Sequence, residues 1–185
     1  MKPPRILLLG KEDSVLTNVL ATLQAAGFDA EGTTQFATVH DDFDARNFTL
    51  IGLGGAFSDE QRRELRVAFQ AQSPTVRVLD LFAPVLLPQL QYLTNPAAQP
   101  PMVNHITTTW AEGELCVELR ARVACPVTVT LYDFARQSAV LTVFEGTLPA
   151  GTTQLKVQQQ PGEGFPHFLV VQTTSGEVQV HRFAV

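Results

Sequence analysis

Two short loops carry the residues whose types and spacing suit chemistry. Gly10-Lys11-Glu12-Asp13-Ser14 follows the apolar run Ile6–Leu9, and Gly52-Leu53-Gly54-Gly55 leads to Ser58. Glycines let backbone amides approach an anion closely, a helix N-terminus adds donors, and Lys11 adds positive charge. A nucleotide or small anion is the ligand such loops would take. Gly10, Lys11, Glu12, Asp13, Ser14, Gly52, Gly54, Gly55 and Ser58 are therefore the candidate ligand-binding crevice. The spacing matches neither a dinucleotide fingerprint nor a P-loop, and Glu12, Asp13 and Asp59 repel an anion. A pair of tight turns holding no ligand is the competing reading.

Other chemistry has less support. His40, His105, His167 and His181 are dispersed, and no serine sits in a Gly-x-Ser-x-Gly setting. Cys116 and Cys125 lie nine positions apart with no turn residue between them. On one strand that places them ~30 Å apart, far beyond the ~7 Å a disulfide tolerates. No Cys-x-x-Cys or His-x-x-His spacing offers a metal site. The expectation is no catalytic residue, no metal and no cofactor. Arg62, Arg63 and Arg66 interleave with Glu60 and Glu64 and read as a solvated helix face.

The elements that must position these loops follow from the hydrophobic period, which changes along the chain. Residues 5–93 alternate short apolar runs with helical patterns. Arg5–Gly10 reads as a buried parallel strand. A helix capped by Asp13 or Ser14 follows, with Val15, Leu16, Val19, Leu20, Leu23 and Ala26 inward and Gly27 as its stop. Strands are expected at 28–33, 48–53 and 75–82. A weaker helix spans Thr34 to Arg46. Ser58-Asp-Glu-Gln61 is a capping box opening a helix to about Gln72, with Leu65, Ala68 and Phe69 inward. Pro84 opens a last helix. Alternating strands and helices require parallel pairing, and a flavodoxin-like sheet in order 2-1-3-4 with helices on both faces is predicted. In that order the two candidate loops flank the point where the winding reverses.

Residues 103–185 instead alternate with period two. Seven strands are read near 102–110, 114–124, 126–134, 139–146, 153–159, 167–173 and 177–184, with turn signals at Pro149–Gly151, Pro161–Gly164 and Ser175–Gly176. This describes an immunoglobulin-like sandwich. Three prolines between Pro96 and Pro101 mark a linker. The expected division is 1–94, a linker at 95–102, and 103–185.

The 185 residues carry a net charge of −5, which argues against phosphate-driven nucleic-acid binding. Only 17% are charged, so part of the surface is expected to be covered by Gln, Thr and Ser, or by a partner. The start lacks a secretory apolar core, and no run approaches the ~18 apolar residues of a membrane helix. A cytoplasmic protein with no membrane contact is the expectation.

Two resemblances add to this reading. Ile-Leu-Leu-Leu-Gly-Lys-Glu-Asp13, Leu-Gln-Ala-Ala-Gly-Phe28 and Phe-Thr-Leu-Ile-Gly-Leu-Gly-Gly55 resemble the receiver domain of bacterial response regulators, over about residues 5–93. That family carries a phosphoacceptor aspartate after its third strand and an acidic pair for Mg²⁺. Here Gly52, Leu53, Gly54 and Gly55 stand at the acceptor region, and Asp80-Leu81 stands where the family has a small hydroxyl residue. Neither a fifth strand nor its following lysine is seen. The resemblance therefore implies a degenerate, phosphorylation-incompetent receiver. Val127–Asp133, Leu148–Thr152, Gly162–Phe165 and Val180–Val185 look like the C-terminal β-sandwich of Bacteroidetes proteins exported by the type IX route. The expected function is a non-enzymatic regulatory or interaction protein with a protein partner or a second copy. A nucleotide or small-anion sensor and an exported protein with a sorting module are the alternatives.

Overall fold

Beyond Arg5, the run Arg5–Leu9 carries only apolar side chains, and it forms a central strand, β1, with Ile6 to Leu9 all buried. In the computed structural model the described residues are 4–95, 100–111, 113–133, 139–158 and 166–183. The chain divides into two compact units, Met1–Leu87 and Pro88–Val185.

In the first unit β1 (Arg5–Leu9), β2 (Asp29–Thr33), β3 (Leu50–Leu53) and β4 (Arg77–Asp80) form a parallel sheet in the order β2-β1-β3-β4. This is the predicted order. Leu7 and Leu9 share a core with Ile51, Leu53 and Val78, and with Leu65 and Phe69 of α3 (Asp59–Gln72). The alternate residues Leu8, Gly32 and Gly52 are in register on the opposite face. There Leu16 of α1 (Asp13–Ala25) lies against Gly32. Helices thus cover both faces.

α1 ends as its sequence dictates. Gly27 adopts φ +85°, its amide reaches the Gln24 carbonyl at 3.0 Å, and the Phe28 amide reaches Leu23 at 3.0 Å. These two bonds make a Schellman stop. The start differs from expectation. Glu12, not Asp13 or Ser14, is the N-cap, without a side-chain cap bond. The Asp13 carboxylate instead accepts from Thr34 Oγ1 at 2.9 Å, tying α1 to the loop after β2. Of the expected inward face, Leu23 is buried and Val15 is 48% exposed.

The helix expected over 34–46 is also corrected. Only one turn, α2 (Val39–Asp42), and a 3₁₀ turn at Ala45–Asn47 form there. Local side-chain bonds compete with the helix: Thr33 Oγ1 accepts from the Gln35 amide, and Asp44 accepts from the Arg46 amide. The Gln72 side chain then pins the segment, accepting from the Ala45 amide at 2.9 Å and donating to the His40 carbonyl. After β4, Pro84 opens a 3₁₀ turn (Ala83–Val85) that runs into α4 (Leu86–Thr94), within which the division into units falls. Of the expected linker, residues 96–99 lie outside the described residues.

The second unit contains all seven expected strands: β5 (Val103–Ala111), β6 (Glu114–Ala121), β7 (Cys125–Asp133), β8 (Ala139–Leu148), β9 (Gly151–Val157), β10 (His167–Thr173) and β11 (Val178–Phe183). They pair antiparallel in two sheets, β11-β10-β7-β8 and β5-β6-β9. Alternation explains the burial: Leu115, Val117 and Leu119 of β6 meet Val127, Val129 and Leu131 of β7 in one core, with Trp110 packed against it. Both cysteines are free. The Ser175-Gly176 turn forms, with φ +90° at Gly176. The Pro161–Gly164 turn signal lies outside the described residues.

Glu177, immediately before β11, is only 3% exposed. Its carboxylate accepts from the Met102 amide at 2.7 Å and the Val103 amide at 3.4 Å, and from the Gln179 side chain. It fastens the first residues of β5. Among the described residues no helix is long and apolar enough to cross a membrane.

Gly52 is a packing position. A Cβ built there would lie 2.2 Å from Leu81 Cδ1 and 2.9 Å from Leu8 Cδ2. Gly52→Ala is expected to destabilise the unit by about 1–3 kcal/mol through overpacking. Chemical denaturation measures this, and adding Leu81→Ala should make the double variant lose less than the sum of the two single losses.

Candidate functional site

The candidate loops meet at the carboxyl edge of the parallel sheet. Gly54 packs directly on the end of β1, and a Cβ there would stand 3.0 Å from the Leu9 carbonyl oxygen and 3.7 Å from Gly10 Cα. The structure therefore brings Gly10 and Gly54 together. Gly52 is separate, buried within β3 beneath Leu81.

The amides of Gly10, Gly54 and Ser58 are engaged within the chain. The Gly10 amide donates to Thr33 at 3.2 Å, and the Gly54 amide donates to Leu9 at 2.9 Å. Both extend the sheet ladder by one residue. Ser58 forms the predicted capping box: its hydroxyl accepts from the Gln61 amide at 3.2 Å, and its own amide donates to Gln61 Oε1 at 3.1 Å. Glu12, Asp13 and Ser14 are exposed at the start of α1, and Gly55 is half-buried.

Aromatic rings fill the space beside these loops. Phe57, 1% exposed, meets Phe36 edge to face with ring centroids 5.3 Å apart. The Lys11 ammonium lies 5.6 Å from the centre of the Phe36 ring and 5.4 Å from that of Phe57. At these distances the amine is drawn to the ring faces. Lys11 thus caps an aromatic pair contributed by the loops after β2 and β3.

Arg62 is the residue that sequence reasoning misplaced. Expected on a solvated face, it is 5% exposed. Its Nε donates to the Phe57 carbonyl at 3.1 Å and its Nη2 to the Gly54 carbonyl at 2.7 Å, while Nη1 pairs with the Asp80 carboxylate. Arg66 Nη2 pairs with the same carboxylate at 2.8 Å, and Arg66 Nη1 donates to the Val78 carbonyl at 2.6 Å. A guanidinium presents five donors in a planar fork, which suits three acceptors arranged around it. Helix α3 thereby stitches the loop after β3 to the end of β4. Arg63 conforms to expectation, exposed and 3.8 Å from Glu60. A signal was present: Arg62, Leu65 and Phe69 share helical spacing, so Arg62 stands on the inward stripe.

Two further features escaped the sequence reading. A surface groove of about 390 Å³ is lined by His40, Asp41, Phe43, Asp44, Arg46 and Gln72. Its Asp44 and Arg46 face each other through two parallel bonds, 2.9 Å and 2.8 Å. The Arg46 bonds hold the Asp44 carboxyl below the usual carboxylate range and raise the guanidinium in turn. In the β unit, His167 and Asp133 are cross-strand neighbours, both buried, with Nδ1 and Oδ1 3.4 Å apart. Among the described residues no group of three or more His, Cys, Asp or Glu side chains is placed to hold a metal ion.

Replacing Arg62 with Met keeps the length and removes the fork, leaving the Gly54 and Phe57 carbonyls and Asp80 without it. Arg62→Met is expected to lower unfolding free energy by about 2–3 kcal/mol. Arg63→Met should stay within about 0.5 kcal/mol. Urea unfolding of both variants measures the contrast.

No protein-family model matches the chain, and no curated protein matches it. Among solved structures, a GH3 β-glucosidase from Bifidobacterium adolescentis aligns over 97% of this chain at 10% identity with a TM-score of 0.36. The alignment spans 49% of that enzyme's chain, so this chain covers about half its length. A structural-genomics protein from Agrobacterium tumefaciens aligns at 12% identity over 97% of this chain and 92% of its own, with a TM-score of 0.34. OgpA from Akkermansia muciniphila aligns at 8% identity over 98% and 92%, with a TM-score of 0.29. Similarity at this level assigns neither a family nor an activity.

Proposed function

We propose that this chain is a non-catalytic regulatory or interaction protein that pairs a phosphorylation-incompetent, receiver-like α/β unit of flavodoxin-like fold with an immunoglobulin-like β-sandwich. Its partner is a protein, and a second copy of the chain is the simplest one.

The observation that carries this reading is the state of the sheet's carboxyl edge. Phosphoryl transfer to a receiver needs an open carboxylate at the end of β3, beside acids that hold Mg²⁺. Here β3 ends in Leu53, and Gly54 and Gly55 follow it. The nearby Asp80 carboxylate is gripped by Arg62 and Arg66. The Gly54 carbonyl is turned to Arg62, and Phe57 and Phe36 lie beneath Lys11. Contacts that a receiver would make to a phosphoryl group are replaced by contacts of the chain with itself. What such an edge supports is a fixed surface.

The test has three arms. Incubation with acetyl phosphate and Mg²⁺ should leave the intact mass unchanged, and nucleotides or inorganic phosphate should leave the melting temperature unchanged. A covalent phosphoryl adduct, or a thermal shift of the ~2.7 kcal/mol class expected at 100 times Kd, contradicts the reading. Size-exclusion chromatography with light scattering at rising concentration should show a dimer. A monomer throughout removes the second copy as partner.

A further inference from the structure

The edge strand β11 turns polar residues toward the core side of its sheet. By register, His181 is opposite Leu169 and Gln179 is opposite Val171, two residues of the β unit's core. With Glu177 they form an alternating row on one side of the strand. Each reaches across to β5, which belongs to the other sheet. Glu177 takes the Met102 and Val103 amides, Gln179 donates to the Val103 carbonyl, and His181 Nε2 meets Thr108 Oγ1 at 3.2 Å. The two sheets are therefore joined along this side by side chains. His181 is half-buried and stacks on Phe183, with ring centroids 6.1 Å apart.

We propose that the β5–β11 seam is a proton-operated latch, closed while His181 is neutral and released when His181 takes up a proton. Protonation leaves both ring nitrogens as donors, so Thr108 can then serve only as an acceptor. It also places a full charge in a half-buried position close to a second imidazole. Among the described residues His105 on β5 acts on His181, and the other charged and titratable groups on the strands packed about it are Arg120, paired with His105 across the β5–β6 ladder, Glu177 on its own side of β11, Arg182 on the opposite side, and His167 with Asp133 on β10 and β7. Burial first, then the proximity of His105, lower the pKa of His181 below 6.5. The sign follows. A histidine whose pKa is depressed by folding binds its proton more readily once the strand is free. The seam's contribution is therefore fully present above pH 6.5 and is lost as pH falls below 6.5 and through the folded value. Because β11 is the edge strand of its sheet, it can leave without dismantling β10 and β7.

Native-state hydrogen exchange of the whole chain, measured between pH 7.5 and pH 5 and corrected for intrinsic rates, tests this. The amides of Val178–Phe183 should lose protection as pH falls, by up to tenfold per unit of pKa depression, while β6 amides keep theirs. His181→Gln retains a partner for Thr108 and has no proton to gain, so its β11 protection should be flat with pH. If His181→Gln loses protection as steeply as the native chain, or if β6 opens together with β11, the latch is wrong. Should His181→Gln fail to fold, His105→Asn replaces it: removing the neighbouring imidazole must shrink the pH response, and an unchanged response overturns the proposal.

Discussion

A single buried guanidinium sets the character of the α/β unit. Arg62 is inside because helix α3 is capped at Ser58 and starts no later than Asp59. The capping box fixes the first turn, the Arg62 amide donates to the Ser58 carbonyl at 3.0 Å, and the helical period then aligns Arg62 with Leu65 and Phe69. From that position its side chain reaches the carboxyl edge of the sheet. Burying the charge without partners would be strongly unfavourable. Two backbone carbonyls and the Asp80 carboxylate make it tolerable, and Arg66 shares the carboxylate. The loop after β3, the end of β4 and the first turn of α3 are consequently one hydrogen-bonded body. Removing the guanidinium would free all three at once.

The residues of the candidate loops make contacts of their own within the unit. Gly54 serves a close backbone approach between β1 and the loop after β3, whereas a Cβ at Gly10 would meet only the Leu16 side chain at ordinary contact distance. The Gly10 and Gly54 amides extend the ladder. Lys11, the one cation in the first loop, lies over two phenylalanine rings.

The sequence was legible where a strong local pattern agreed with burial. The continuous apolar run of β1, the capping box of α3, the glycine stop of α1 and the period-two strands of the β unit all formed as their physics requires. Legibility failed where two rules opposed each other. Arg62 stands at an inward helical position, but charged residues are rarely buried, and weighting the second rule sent it to the surface. The segment after β2 has apolar residues at helical intervals, but its Thr and Asp side chains bond their own backbone and leave only short turns. Glu177, Gln179 and His181 alternate with valines as a half-buried strand should. At this sheet edge the polar row faces across to β5, because β5 offers amides, a carbonyl and a hydroxyl for it to bind. The loops of the candidate site could be located from topology alone. Which groups were already engaged could not, since that depends on contacts such as Arg62 to Gly54, eight residues apart, and Arg62 to Asp80, eighteen apart.

The chain's own Arg62 occupies the carboxyl edge of the sheet. The most direct measurement is the NMR correlation of the Arg62 side-chain Nε–Hε group, recorded with and without millimolar inorganic phosphate. A buried guanidinium donating to the Phe57 carbonyl predicts a dispersed, slowly exchanging signal that phosphate does not move. A signal that exchanges rapidly with water, or that shifts on adding phosphate, would contradict the account.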